Sequence, residues 1–216
     1  GVQTCALPIS TQDLQQVEAA FRNNTSLVFI ETPTNPLMEI TDITAIAEIA
    51  HRRGAKLCVD NTFMTPILQK PITLGADYVI HSATKYLGGH SDVLGGLLCL
   101  KTAEEHERMK FLQKSIGNVL SPFDSWLTLR GIRTLAIRME THERNAQRVA
   151  TFLVEHEAVG KVFYPGLTSH PFRDISMKQA SGFGGMLSFE LKKSEDVEKF
   201  LARLKIFTLE IGRAHV

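Results

Sequence analysis

Cysteine, tryptophan and tyrosine are scarce in this sequence: 3, 1 and 3 among 216 residues. Cys5, Cys58 and Cys99 lack the paired spacing of a disulfide framework or a zinc site. Cys58 and Cys99 sit inside apolar, strand-like segments, which suits buried thiols in a reducing cytosol and predicts a cytoplasmic protein. An excess of either charge is also missing. A net charge of +1 offers no basic face for nucleic acid and no reason to expect an anionic membrane as partner. No apolar run reaches the length of a membrane span, and there is no internal repeat or low-complexity tract. What is present is 44% hydrophobic and 22% charged residues, the balance of a soluble globular protein.

The two ends fit nothing around them. Thr4 to Ile9 can be coded ACG TGT GCT CTT CCG ATC, and the reverse complement of that string, read one base out of phase, encodes Ile-Gly-Arg-Ala-His and then Val, the last six residues. Residues 1–9 and 211–216 are therefore expected to be foreign, derived from a sequencing adapter, and the rest to be an internal piece of a longer chain. Roughly 200 native residues suffice for one large domain or one and a half ordinary ones.

Along the chain, hydrophobic spacing predicts a helix over 11–23 and a continuous apolar strand over 27–30. The strand runs into Glu31-Thr-Pro-Thr-Asn-Pro36, where two prolines forbid helix and ladder alike. A helix over 40–53 follows, with Thr41 or Asp42 as cap and Gly54 as stop. Residues 56–59 form the next strand, ending in Asp60-Asn-Thr62, and a turn at 74–77 leads into a strand from Tyr78. A further strand covers 93–100, broken by Gly95 and Gly96. This order predicts an α/β fold with a mainly parallel sheet flanked by helices. Helices over 103–114 and from Pro122, with a kink or restart at Gly131, continue to about Glu157. Strands over 162–164 and 185–191 and a helix over 196–204 complete the reading. It divides the chain into 10–140, a large cofactor-binding domain, and 141–210, a connector helix with the start of a small α/β C-terminal domain.

The chemistry converges on Tyr78-Val-Ile-His-Ser-Ala-Thr-Lys85. A lysine at the mouth of a buried strand is costly unless it is paired or neutral, and a neutral lysine is a nucleophilic amine of the kind that forms Schiff bases. Lys85 is therefore read as the carrier of pyridoxal 5'-phosphate. Asp60 would keep the pyridine nitrogen protonated, making the ring an electron sink. Ser82 and Thr84, on one side of an extended strand end, would offer hydroxyls to the phosphate; Asn35 would donate to the ring hydroxyl oxygen; Thr62 would touch the ring's face or edge. Each has a plainer use as well: a solvent-reaching lysine, a helix cap for Asp60, turn roles for Ser82, Thr84, Thr62 and Asn35, a surface carboxylate for Glu31. His81, His90 and Asp92 match neither a metal set nor a triad. Gly88, Gly89, Gly95 and Gly96 precede no helix N-terminus, so they are read as loop flexibility beneath the cofactor rather than as a phosphate loop.

Seven segments carry a resemblance. They are the 31–36 loop, Val59-Asp-Asn-Thr-Phe-Met64, His81-Ser-Ala-Thr-Lys-Tyr86, Gly89-His-Ser-Asp92, Leu129-Arg-Gly-Ile-Arg-Thr-Leu135, Tyr164-Pro-Gly-Leu-Thr-Ser-His-Pro171 and Gly182-Phe-Gly-Gly-Met186. Together they closely resemble the transsulfuration (Cys/Met-metabolism) family of pyridoxal-phosphate enzymes, over essentially all of 11–209. The resemblance implies the aspartate aminotransferase type I fold and assembly as a homodimer or homotetramer. It implies a carbon–sulfur lyase that cleaves cystathionine, a small sulfur-containing amino acid, by γ- or β-elimination. A cystathionine γ-synthase or O-acylhomoserine sulfhydrylase is the alternative. It also implies Lys85 as the Schiff-base lysine, Asp60 as pyridinium partner, Ser82 and Thr84 as phosphate ligands, and Asn35 as a cofactor or substrate-carboxylate contact. The family's ring-stacking tyrosine and carboxylate-binding arginine have no counterpart within 10–210, so this stretch alone is expected to be weak or inactive.

Overall fold

The computed structural model describes residues 9–207; the expectation of foreign ends falls, apart from Ile9, outside these residues. The frame is a four-stranded sheet in the order β1 (Leu27–Glu31), β2 (Lys56–Asp60), β3 (Tyr78–Ser82) and β4 (Gly96–Leu100). β1, β2 and β3 run parallel, while β4 lies antiparallel on the edge. The parallel pairs require crossovers. Helix α1 (Leu14–Ala20) precedes the sheet, α2 (Ile43–Arg52) links β1 to β2, and the short α3 (Thr65–Leu68) with a 3₁₀ turn at Pro71–Leu74 links β2 to β3.

Asp42 caps α2 by accepting from the Ala45 N–H, and Gly54 takes the left-handed conformation just past its end. The apolar stripe of α2, Ile43, Ile46, Ala47, Ile49 and Ala50, packs on Ile30, Leu57, Val59 and Val79 from the three parallel strands. These side chains alternate with Cys58, Asp60, Ile80 and Ser82 on the other face. That second face carries Phe29 and Leu98, 55% and 46% exposed.

Strand β4 begins at Gly96, three residues later than the expected 93, because the chain between Ser82 and Gly95 is spent on a turn and a loop. Only thereafter does the chain pair back along β3, which makes this the sheet's one antiparallel neighbour.

One buried carboxylate pins the sheet from below. Asp77 accepts from the Leu57 N–H at 2.9 Å and pairs with His51 at 2.8 Å and Lys56 at 3.2 Å. Burial would raise its pKa, but the Leu57 N–H, His51 and Lys56 outweigh that and hold it below the usual carboxylate value. A depressed carboxylate stabilises the fold above its unfolded pKa, and this stability disappears as pH falls through the folded value. Urea titrations of wild type and Asp77→Asn should therefore differ most near neutral pH and converge in acid. A gap independent of pH would exclude this linkage.

Helices α4 (Ala103–Ile116), α5 (Pro122–Ile132) and α6 (Leu135–Glu155) follow. Ser121 caps α5 with Pro122 at the first position, as its sequence predicts. The chain breaks at Arg133–Thr134 and restarts as α6, so Gly131 marks the end of a helix rather than a kink within one. The remaining elements are β5 (Val159–Phe163), α7 (Arg173–Gln179), β6 (Ser188–Leu191) and α8 (Val197–Ala202), with β5 and β6 pairing antiparallel. Helix α7 has no strong periodic signal, and β6 starts later than the expected 185 because 181–187 form a loop packed on α6. This region is tied to the first sheet's connections: Gln179 bonds Thr41 O and the Ile43 N–H, and the Ser181 N–H donates to Leu68 O.

Candidate active site

Parallel pairing brings three carboxyl ends to one edge of the sheet. Glu31 lies opposite Asp60, and Asp60 opposite Ile80, two residues before Ser82. The polar sets that follow these strands therefore open together, at the edge where α/β sheets bind ligands. Glu31 feels this crowding: burial, then the neighbouring Asp60 charge, raises its carboxyl above the usual value.

Asp60 is oriented by the chain that follows it. The Thr62 N–H donates to Asp60 Oδ1 at 3.0 Å, while Thr62 Oγ1 accepts from the Ser82 N–H at 2.8 Å. Thr62 is 7% exposed. One residue thus fastens the carboxylate at the end of β2 to the backbone at the end of β3. Thr62→Val keeps the shape but leaves the partly buried Ser82 N–H without its acceptor. It should cost about 1–3 kcal/mol in thermal or urea unfolding, with Thr62→Ser close to wild type. Equal loss in both variants would rule out the hydroxyl's role.

Strand β3 stops at Ser82, and Ala83–Leu87 form a wide turn kinked at Lys85, whose φ of −91° and ψ of −124° lie outside the helical region. Thr84 is consequently not on an extended strand end beside Ser82. Its hydroxyl accepts from the Gly95 N–H at 3.1 Å and lies 3.4 Å from Gly95 O, joining the lysine turn to the start of β4. Lys85 itself is partly buried, and desolvation lowers its pKa below the usual lysine value. That shift is in the direction a nucleophilic amine needs. Tyr86, next in the chain, is pushed up to about 12 by burial, so it stays a neutral phenol. Its ring lies 5.1 Å from that of His142.

The 31–36 loop is held by its own threonines. Thr32 Oγ1 accepts from the Thr41 N–H, and Thr34 Oγ1 from the Glu39 N–H. Both X-Pro bonds, Thr32–Pro33 and Asn35–Pro36, are cis. Asn35 is exposed at the tip of this loop.

Gly88 and Gly89, just after Lys85, serve closeness rather than flexibility, and a Cβ on Gly88 would meet the Ala83 carbonyl. A Cβ on Gly131 would collide with the Leu87 and Gly88 carbonyls, and one on Gly89 with the Arg138 guanidinium. The lysine turn is seated on the junction of α5 and α6, backbone against backbone. Arg138 was not evident from the sequence; its spacing from Leu135 and His142 on one helix face was the available signal. His81 points to the α2 side of the sheet and is 3% exposed, with burial lowering its pKa. Among the described residues, no group of three His, Cys, Asp or Glu side chains is placed to hold a metal.

The donor set fits pyridoxal phosphate. Lys85, its pKa lowered by burial, follows the carboxyl end of β3; Asp60 at the end of neighbouring β2 is held through one oxygen; and Ser82 and Thr84 precede the lysine in the chain. This fold, with a lysine-centred site at its sheet edge, suits the pyridoxal-phosphate-dependent class. The sequence matches the family described as Cys/Met metabolism PLP-dependent enzyme over residues 2–212. The chain belongs to that family. It is 52% identical over 201 residues to a cystathionine gamma-lyase of Bacillus subtilis (strain 168), covering 93% of this chain and 53% of the relative. It is 53% identical, with the same coverage, to a cystathionine beta-lyase of Lactococcus lactis subsp. cremoris (strain MG1363). Cystathionine gamma-synthases of mycobacteria are similar at 48% and 50% identity. Among solved structures, a cystathionine gamma-lyase from Lactobacillus plantarum complexed with L-serine superposes with a TM-score of 0.92 at 46% identity, over 94% of this chain and 54% of that one. The chain spans about half the length of the curated relatives it matches.

Proposed function

We propose that the protein carrying this chain is a carbon–sulfur lyase of transsulfuration that cleaves cystathionine, with Lys85 as the lysine that binds pyridoxal phosphate. The observation that carries the reading is the partly buried Lys85, its pKa lowered by desolvation, on a wide turn just past the end of β3, beside the strand that ends in Asp60. Bound there, the cofactor supplies an electron sink for charge developing at the substrate's α-carbon. Lys85, released as a free amine, removes the α-proton and returns it to carbon or to the leaving group. Asp60 holds the proton at the pyridine nitrogen. Ser82 and Thr84 bind the phosphate, Thr84 by exchanging its long contact with Gly95 O for a phosphate oxygen. Asn35 contacts the ring hydroxyl oxygen or the substrate carboxylate, and Thr62 lies against the ring while it orients Asp60.

Residues 10–140 form the cofactor domain and 141–210 the connector and the start of the small domain in this reading. It also makes the protein a cytoplasmic homodimer or homotetramer. Support for self-association comes from α4, α5 and the link between them, where Phe111, Ile116, Val119, Phe123, Trp126 and Leu129 are all more than half exposed.

Product analysis tests the reaction. Incubating the purified full-length protein with cystathionine should release ammonia with 2-oxobutyrate for γ-elimination or pyruvate for β-elimination. The similarity to gamma-synthases favours one rival, γ-replacement on the same scaffold. Formation of cystathionine or homocysteine from an activated homoserine, with no oxoacid from cystathionine, would establish the transferase and sink the lyase.

A further inference from the structure

The cofactor reading leaves one charged group near the lysine without a role. Arg138, on the first turn of α6, donates from Nη1 to Tyr86 O at 2.7 Å, from Nη2 to Gly131 O at 2.8 Å and from Nε to Thr134 Oγ1 at 3.1 Å. These acceptors belong to the lysine turn, the last turn of α5 and the α5–α6 break. A single planar fork therefore ties together the three segments that meet beneath Lys85.

The turn needs such a tie. The kink at Lys85, where φ is −91° and ψ −124°, takes the turn's carbonyls out of register with the ordinary helical ladder. The Gly88 N–H donates to Ala83 O and the Gly89 N–H to Lys85 O, both at 2.8 Å, and the Gly88 N–H also reaches Lys85 O. Tyr86 O, between them, is taken by Arg138. The guanidinium also sits at the C-terminal end of α5, where the helix dipole favours a cation. Gly89 leaves the room it occupies, and Gly131 lets α5 approach the turn closely enough for both carbonyls to fall within its span. Lysine could not replace it, since an ammonium lacks the flat, preorganised fork that reaches three acceptors in fixed directions.

We infer that Arg138 is a positioning residue for Lys85. It touches the lysine turn through backbone alone and sets where the amine stands relative to Asp60. The inference rests on the reading of Lys85 as the cofactor lysine.

The test uses the full-length protein with Arg138→Ala and Arg138→Lys, the latter keeping charge and stem should the alanine variant fold poorly. Three readouts separate positioning from mere bracing. They are amide hydrogen exchange over 85–89 in the apoprotein, the affinity for added pyridoxal phosphate, and the pH midpoint of the bound cofactor's visible band. In Arg138→Ala, exchange at Gly88 and Gly89 should quicken and cofactor affinity should fall, each about tenfold. The midpoint should move by about half a unit or more. Arg138→Lys should fall between the two, and free guanidinium should restore the alanine variant in part. Variants with a lowered melting temperature but wild-type exchange, affinity and midpoint would overturn the inference. Peptide mapping after borohydride reduction provides the separate control. If the wild-type cofactor is attached elsewhere than Lys85, the parent reading fails and this inference with it, whatever the exchange data show.

Discussion

Lys85→Ala should leave the full-length protein without a covalently held cofactor and without measurable turnover, while its fold survives. The side chain is partly exposed, so truncating it removes chemistry rather than core. No neighbour replaces it. Among lysines close in sequence, Lys70 precedes the 3₁₀ turn and Lys101 follows β4, both away from the edge where β1, β2 and β3 end. Removing a nucleophile that also serves as proton carrier typically costs many orders of magnitude, up to about 10⁶ where such groups act together. The measurement is twofold: loss of the visible band of bound cofactor, and oxoacid release from cystathionine. An unchanged melting temperature would show that the loss is chemical. Wild-type turnover in this variant would end the assignment.

Asp60→Asn should be the second most damaging change. Asparagine keeps the size of the side chain and still offers an oxygen to the Thr62 N–H, the contact that orients Asp60 at 3.0 Å. What it removes, in the proposed reading, is the negative charge that Asp60 would set beside the pyridine nitrogen, where it would be needed most as charge develops on the ring. Loss of one preorganised electrostatic partner of this kind costs about 10²–10³ in rate. The loss should fall on kcat more than on KM, because the interaction strengthens toward the transition state. The same change relieves Glu31, whose pKa burial and Asp60 together raise; in Asp60→Asn it should drop toward the ordinary glutamate value. A rate within about threefold of wild type, against the expected hundredfold or more, would mean that Asp60 does not hold the pyridinium proton.

Much of this was legible in the chain because the signals are local. The helical stripe and cap of α2, the three parallel strands, the Ser121-Pro122 helix start and the polar sets at the strand ends all follow from short-range pattern. Other features were not. Thr84 reads as a strand-end residue, yet its backbone has already entered the wide turn and its hydroxyl is spent on Gly95. Gly88, Gly89, Gly95 and Gly96 read as a loose loop, yet at Gly88 and Gly89 the Ala83 carbonyl and the Arg138 guanidinium pack where a Cβ would be. A β-strand can pair either way along the same residues, so the antiparallel sense of β4 was equally hidden.

From the sequence alone came the class of chemistry, through a lysine where apolar pattern makes an ammonium expensive and a carboxylate at the end of the preceding strand. Periodicity and capping are properties of neighbours along the chain, and they need no partner to be read. What only the tertiary structure decided is how those groups are held: Thr62 fastening β2 to β3, and Arg138 fastening the lysine turn to the α5–α6 junction across 52 residues of chain. Hydrogen bonds of that kind join groups whose separation in sequence carries no pattern. Their geometry exists only once the strands and helices have packed.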